Sequence, residues 1–524
     1  MKKGFTLVEL IAVIIILAVI ASITYPTVSN SIKNSKEKAY NVQVESIVEA
    51  AHKWAVDNAT NLSETDATRV HISDLISNGY ITKTNNGKLY NPVDDTEMTG
   101  CVVINYSNEY NQYLYDYDSE CIFDEIVGKY NVTKGVNVPQ LTNGMTPIKW
   151  VDGLETITTE DDVNWYNYSN KLWANAKTTD GSYWVWIPRY AYKISTGWHT
   201  ATAGAIDIIF LKNDTEENIS NATIQTSSYS TTGTNTSNAY FLEPAFQNDT
   251  GNTKYGFWVA KFEASVSDIT DACYTSESKD NCNKTTLTPK FIPNVYSWRY
   301  TSIGNQYTIA QNMTSNSTYG WSSSEADTHM MTNYEWGTVA YLTQSIYGKN
   351  SEVWKNNSNT FITGCAGDSV SASSYSGCQY AYNTSNGMNA STTGNITGIY
   401  DMSGGSFEFV AAYINNGSGS LSTYGSNILS SAINKNVYIK GESDNFATNY
   451  AANINMYGDA TYETSSAGDG AYSWNHDDSY MPYSSFPWFV RGGSVSSGGI
   501  GSTNISNGNA GNNISFRLVV LSTQ

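Results

Sequence analysis

Few residues in this chain are placed to do chemistry, and most of them are acids. Glu9 is the sole charge in the apolar run FTLVELIAVIIILAVIASITY at 5–25. A carboxylate inside a helix of bilayer length is costly and needs a partner. Cutting the chain after Gly4 would supply one, the new ammonium of Phe5. Asp401 and Glu408 share the glycine-rich stretch NITGIYDMSGGSFEF at 395–409. Asp116, Asp118 and Glu120 form another acidic group in DYDSE, although alternation along the solvent face of a strand explains them better. His476, Asp477 and Asp478 offer a metal-type triplet whose plainer reading is a solvated loop. The five histidines, His52, His71, His199, His329 and His476, show no ligand spacing. No P-loop, G-x-S-x-G or H-E-x-x-H occurs, so neither nucleotide hydrolysis nor a motif-bearing hydrolase is supported.

The six cysteines are Cys101, Cys121, Cys273, Cys282, Cys365 and Cys378. Six cysteines allow fifteen connectivities. They fall into three pairs of sequence neighbours, and short loops in an exported chain favour local bridges. No C-x-x-C occurs, which argues against structural zinc.

These residues sit in a chain of 524 residues, long enough for about three domains. The formal net charge is −19, with no basic stripe to release phosphate counterions, so nucleic acid is excluded as a partner. Aromatics make up 13%, with 39 Tyr and 14 Trp, too many for a disordered chain. Abundant Asn, Ser, Thr, Gly and Tyr with only 15% charged residues fit an extracellular β-rich surface protein.

After residue 25 no segment approaches membrane-spanning length, so the chain is anchored once, with Lys2 and Lys3 keeping its start cytoplasmic. The helix continues to about residue 58, where Val28, Ile32, Ala39, Val42, Ile47, Ala51, Trp54 and Ala55 recur at spacings near three and four. Asn30, Asn34 and Ser35 weaken its middle, and a melted patch is expected there. The segment KKGFTLVEL resembles the class III leader of type IV prepilins and pseudopilins: a basic leader, Gly4 at the cleavage point, Phe5 as first mature residue, then Glu9. Pro26 falls where pilin helices commonly kink. The resemblance implies a prepilin peptidase that cuts after Gly4 and N-methylates Phe5. It also implies sister subunits, with Glu9 pairing with a neighbour's terminal amine during assembly.

Residues 61–127 read as a small head: a short helix in VHISDLIS with Gly79 as its stop, then a hairpin from CVVIN and QYLYDYD, flanked by Cys101 and Cys121. Tyr113, Tyr115 and Tyr117 alternate with Leu114, Asp116 and Asp118, the period of a half-buried strand. This order is similar to type IV pilin heads. Residues 128–144 read as a linker. From 145 onward short aromatic strands dominate (YWVWI at 183–187, YGFWVAKF at 255–262, FPWFV at 486–490), with the best helix at 332–344. The stretches 220–237 and 498–513 read as surface loops.

Four stretches in this module resemble the formylglycine-generating enzyme (sulfatase-modifying factor) family, whose fold is a variant of the C-type lectin fold. They are YGFWVAKFE at 255–263, MTNYEW at 331–336, NITGIYDMSGGSFEF at 395–409, and RGGS at 491–494 with the closing Phe516-Arg517. The match is strongest over 250–524. The family's catalytic members carry two cysteines between the last two motifs, but 495–515 contains none. Gly405, Phe407 and Phe409 replace an Asn and two Trp of the family core. The resemblance therefore implies a fold and not oxidative catalysis. Arg491 and Arg517 read as buried ion-pair or carbonyl-capping residues, Glu335 and Glu408 as buried acceptors for backbone amides, and Asp401 with Glu408 as a calcium pair of the kind family members hold.

The expected protein is thus α+β: a leader at 1–4, a transmembrane and assembly helix at 5–60, a pilin-like head at 61–127, a linker at 128–144 and a β-rich lectin-type module at 145–524. The expected function is a minor or tip pilus subunit, first in the membrane and then at the cell surface, whose non-enzymatic module binds a carbohydrate or protein. The candidate binding loops are 417–424, 461–483 and 495–513. A pseudopilin of a type II secretion or DNA-uptake machine and a formylglycine-generating-type enzyme are the alternatives.

Overall fold

In a computed structural model the chain is described at residues 6–59, 62, 68–82, 87–121, 126–226, 240–247, 254–266, 273, 279–495 and 497–523, leaving aside the side chains of 23, 25–27, 279 and 280. It is α+β, an N-terminal helix followed by a β-rich region with mixed sheets. It divides into two compact units, Met1–Phe123 and Asp124–Gln524.

In the first unit the helix Leu7–Asp57 runs 51 residues, about 77 Å at 1.5 Å per residue. The expected melted patch is absent: the helix passes through Asn30, Asn34 and Ser35 unbroken. Ser35 Oγ returns a hydrogen bond to the Ser31 carbonyl at 2.8 Å, which meets the hydroxyl's need without opening the backbone. The amphipathic stripe is also shorter than its sequence period. Val28, Ile32 and Val42 are exposed, while Ile47, Ala50, Ala51 and Ala55 are buried. The apolar residues from Leu7 to Ile20 are exposed as well. Among the described residues no helix is long and apolar enough to cross a membrane.

The head packs on the buried stripe. Its antiparallel sheet has the order Thr68–His71, Cys101–Ser107, Gln112–Asp118. Val70 and His71, expected in a helix, pair instead with Val102 and Cys101, and the helix begins only at Ile72. Tyr113, Tyr115 and Tyr117 alternate with exposed residues and pack half-buried against the core of Ile47, Val70, Leu75, Val102 and Ile104. A disulfide joins Cys101 to Cys121. In the second unit disulfides join Cys273 to Cys282 and Cys365 to Cys378.

The second unit begins earlier than expected. Ile126–Val127, Tyr130–Asn131 and Val136–Asn137 form a three-stranded sheet. Tyr130, Asn131, Val136 and Asn137 are buried, and the Asn137 amide donates to the carbonyls of Asn213 and Tyr255. The segment expected as a linker is therefore folded. Gly128 and Gly135 take positive φ at its turns, and Asn131 and Asn137 make buried amide hydrogen bonds.

Two seven-stranded sheets follow. The first is antiparallel throughout, in the order Ala326–Met330, Leu518–Ser522, Gly256–Ala260, Tyr183–Pro188, Asn175–Thr178, Met145–Val151, Leu154–Ile157. It places the last strand of the chain within the sheet that the module's first strands build. The second sheet is mixed and centres on Phe407–Asn415, which pairs parallel with Asn436–Ile439 and Ile514–Phe516 and antiparallel with Trp488–Arg491. Only Arg517 separates Ile514–Phe516 of one sheet from Leu518–Ser522 of the other. The core is aromatic: Trp173, Trp184, Trp186, Trp258, Trp298, Trp336 and Trp488 are fully buried. The tryptophans thus mostly build the interior rather than a binding face.

Candidate functional site

At the N-terminus Thr6 caps the long helix. Its Oγ1 accepts from the Glu9 amide at 3.4 Å, and Glu9 Oε2 accepts from the Thr6 amide and hydroxyl, both at 2.8 Å. This is a reciprocal capping box. Gly4 and Phe5 lie outside the described residues.

The family-like stretches converge in the interior of the second unit. The Arg517 guanidinium donates to Glu408 Oε1 at 2.6 Å and Oε2 at 3.1 Å, to the Ala260 carbonyl at 2.7 Å and to the Tyr400 carbonyl at 2.9 Å. Glu408 was expected to accept backbone amides; its partner is instead this arginine. Asp401 accepts from the Gly364 amide, from Asn356 Nδ2 at 2.8 Å and from the Glu263 amide at 3.4 Å. Burial raises both Asp401 and Glu408, with Arg517 opposing. Burial, with the Asp401 and Glu408 charges, raises Glu263 well above the usual range. The two calcium candidates are therefore neighbours, but each already has protein donors on its oxygens. Among the described residues no group of three His, Cys, Asp or Glu side chains is arranged to hold a metal. His476 is exposed while Asp477 is buried, so that triplet does not converge.

Arg491 is fully buried. Its Nη1 donates to Asn333 Oδ1 at 2.9 Å, the Asp459 carbonyl at 3.0 Å and Thr461 Oγ1 at 3.1 Å, and its Nη2 to the Ala460 carbonyl at 3.1 Å. Burial lowers it to about 10. Glu335 sits in the first turn of the helix Asn333–Gln344, in a capping box with Thr332. It also meets His329 Nε2 at 2.8 Å, with both side chains buried. Burial works against the Glu335 charge, but His329, Lys254 and the Thr332 amide outweigh it and bring the carboxyl to about 2. Burial likewise works against the His329 charge, and Glu335 and Asp327 raise it nonetheless.

The sign of each shift sets a pH window. The depressed Glu335 contributes stability above its usual 4.5 that is lost as pH falls toward about 2. The raised His329 contributes stability below its usual 6.5 that is lost as pH rises through its folded value. His329→Gln should therefore lower the unfolding free energy by about 3 kcal/mol between these limits. The loss should shrink toward both acid and alkaline pH in urea titrations; a pH-independent loss would contradict the pair.

The expected binding loops are mostly structured. Residues 417–424 enter the helix Gly419–Ser430, and 495–513 contains the strand Thr503–Ser506. In 461–483, Thr461, Glu463, Thr464, Ser465, Trp474, Asp477 and Met481 are buried. Between 461–483, 495–513 and the helix Asn333–Gln344 lies a small cleft of about 20 Å³, room for a water molecule. Tyr341 and Gln344 line one side, Thr464, Trp474, Asn475 and Asp477 another, and Ile500 and Gly501 a third. The sequence signal for it was partial. Thr464, Trp474, Asn475 and Asp477 fall in the candidate loop 461–483 and Ile500 and Gly501 in 495–513, whereas Tyr341 and Gln344 of the helix belonged to no candidate site.

A family model for the prokaryotic N-terminal methylation motif matches residues 1–25. The chain carries a type IV pilin-like N-terminus. The motif implies processing by prepilin peptidase and assembly with other subunits. The match covers the N-terminus alone and says nothing of the second unit. No curated protein matches the chain.

Proposed function

We propose that the protein is a minor or tip subunit of a type IV pilus-like filament that displays a non-catalytic, lectin-type module for adhesion. The observation that carries this reading is the methylation motif at 1–25, at the start of a 51-residue helix whose apolar residues from Leu7 to Ile20 are exposed. Such a surface suits lipid before assembly and sister helices afterwards. We read 5–25 as the membrane anchor of the unassembled subunit, and the cell surface as its destination.

The second unit, 124–524, is far larger than a pilin head and would tile poorly along a crowded filament, which favours low copy number or a tip position. Support for the lectin-type fold comes from the four family-like stretches and from their meeting around Arg517 and Arg491 in one core. Support for a non-catalytic module comes from the absence of cysteine in 495–515. A carbohydrate or protein is the ligand class we infer for it.

Antibody raised against the second unit should decorate sheared filaments sparsely or at one end in immunogold micrographs. Label confined to the cell envelope would favour the secretion-type pseudopilin.

A further inference from the structure

Four aromatic rings of the second unit meet at its surface instead of in its core. The Phe446 ring centroid lies 4.2 Å from that of Tyr483 and 5.5 Å from that of Tyr480, and Phe486 lies 6.3 Å from Tyr483. Phe446, Tyr480 and Tyr483 are half-buried, and Phe486 is 40% exposed.

The backbone holds this aromatic shelf still. Tyr483 and Phe486 exchange backbone hydrogen bonds at 3.1 and 2.8 Å across the turn Ser484-Ser485. The two carbonyls of that turn are tied to separate elements, Ser484 to Asn416 Nδ2 and Ser485 to Ser420 Oγ, both at 2.9 Å. Ser484 has a φ of 47°, a left-handed value that non-glycine residues rarely hold. Asn449 Nδ2 donates to Asp444 Oδ1 and to the Pro482 carbonyl, both at 2.9 Å, which joins the start of the helix Phe446–Ala452 to the same turn. Rings fixed in this way lose little freedom when something packs on them. A donor stands beside them. Asn445 Oδ1 caps the helix by accepting from the Thr448 amide at 2.9 Å, while its Nδ2 has no partner among the described residues.

Charge and area choose the ligand. Glu442, Asp444 and Asp469 neighbour the rings in the chain or by strand pairing, against Lys440, so an anionic glycan or headgroup is repelled. The Asp444 carboxylate is taken up by the amides of Asn416 and Asn449, so it is no free counter-ion for a cation. Together the four rings bare at most about 400 Å², half of the about 800 Å² per partner that a stable protein interface takes. That is room for about one or two sugar rings, whose C–H faces pack on aromatic carbon while their hydroxyls reach polar groups at the edge. We propose that Phe446, Tyr480, Tyr483 and Phe486 stack one or two neutral sugar rings of a glycan, with Asn445 Nδ2 donating to a sugar oxygen. The proposal rests on the adhesin reading above and names its ligand and its site.

The test is full-length protein in detergent, screened on an array of neutral, sialylated and sulfated glycans and then titrated with methyl glycosides and disaccharides of neutral hexoses and N-acetylhexosamines. At least one neutral glycoside should bind. Phe486→Ala, which shortens the shelf at its exposed end, and Phe446→Leu, which keeps apolar bulk without a π face, should each weaken it about tenfold. Asn445→Asp, which keeps the helix cap and removes the free amide donor, should weaken it with the melting temperature unchanged. Tyr375→Ala, at an exposed ring outside the shelf, should leave binding as it is. Binding confined to charged glycans or to choline and methylated lysine, no binding to any neutral glycoside, or binding that Phe486→Ala and Phe446→Leu both leave unchanged would overturn the site. Filament labelling reports on the pilus reading separately: decorated filaments with no sugar binding would sink the shelf proposal alone.

Discussion

Replacing Arg517 with methionine should destabilise the second unit by about 3–5 kcal/mol, the usual loss when one partner of a buried ion pair is removed. The size follows from where the residue sits. It is the one residue between a strand of the mixed sheet and a strand of the antiparallel sheet. Its guanidinium binds Glu408 in the first and the Ala260 carbonyl in the second, so it joins both sheets at their meeting point. Removal leaves the Glu408 carboxyl buried without its partner, and leaves the Ala260 and Tyr400 carbonyls without this donor. Arg517→Lys should recover part of the loss, because one ammonium cannot reach both carboxylate oxygens and both carbonyls in the same plane. Pairing Arg517→Met with Glu408→Gln should be milder than Arg517→Met alone. Calorimetric unfolding of the full chain measures all three. A loss below about 1 kcal/mol for the methionine variant would mean that the sheets are held elsewhere.

The second large effect is at the other end of the chain. Glu9→Val should leave membrane insertion intact, or improve it, because it removes the sole charge of the apolar run. It should reduce recovery in sheared filaments at least tenfold, because the neighbour's terminal amine loses its partner. In the single subunit Glu9 Oε2 is held by Thr6, while Oε1 makes no hydrogen bond among the described residues. The cap and the intersubunit pair can therefore share one carboxylate. Comparing membrane and filament fractions by immunoblot gives the result directly; equal incorporation of the variant would count against pairing.

Local chemistry was legible in the sequence where it depends on near neighbours. The helix expected at 332–344 is found at Asn333–Gln344, where Thr332 and Glu335 form a capping box. The tyrosine alternation of 112–118 marked a half-buried strand, and the structure shows that pattern. What the sequence hid was structure set by distant contacts. Residues 417–424, expected as a binding loop, enter the helix Gly419–Ser430. Ser418 caps it, Leu421 and Ile428 are buried, and a Cβ at Gly425 would strike the Trp488 ring at 2.4 Å. The glycine is there for packing, which no local rule reveals. The 128–144 segment misled for the same reason. Of the cleft the sequence offered only the loops 461–483 and 495–513; that Gln344 joins Thr464, Asn475 and Gly501 comes from tertiary packing.

The central claim is that this chain is processed as a pilin, and the most direct test is mass spectrometry of the N-terminal peptide of protein recovered from the cell surface. The account predicts a mature chain beginning at Phe5 with one methyl group on its α-amine. An intact Met1, or a terminus created by cleavage anywhere other than after Gly4, would contradict it.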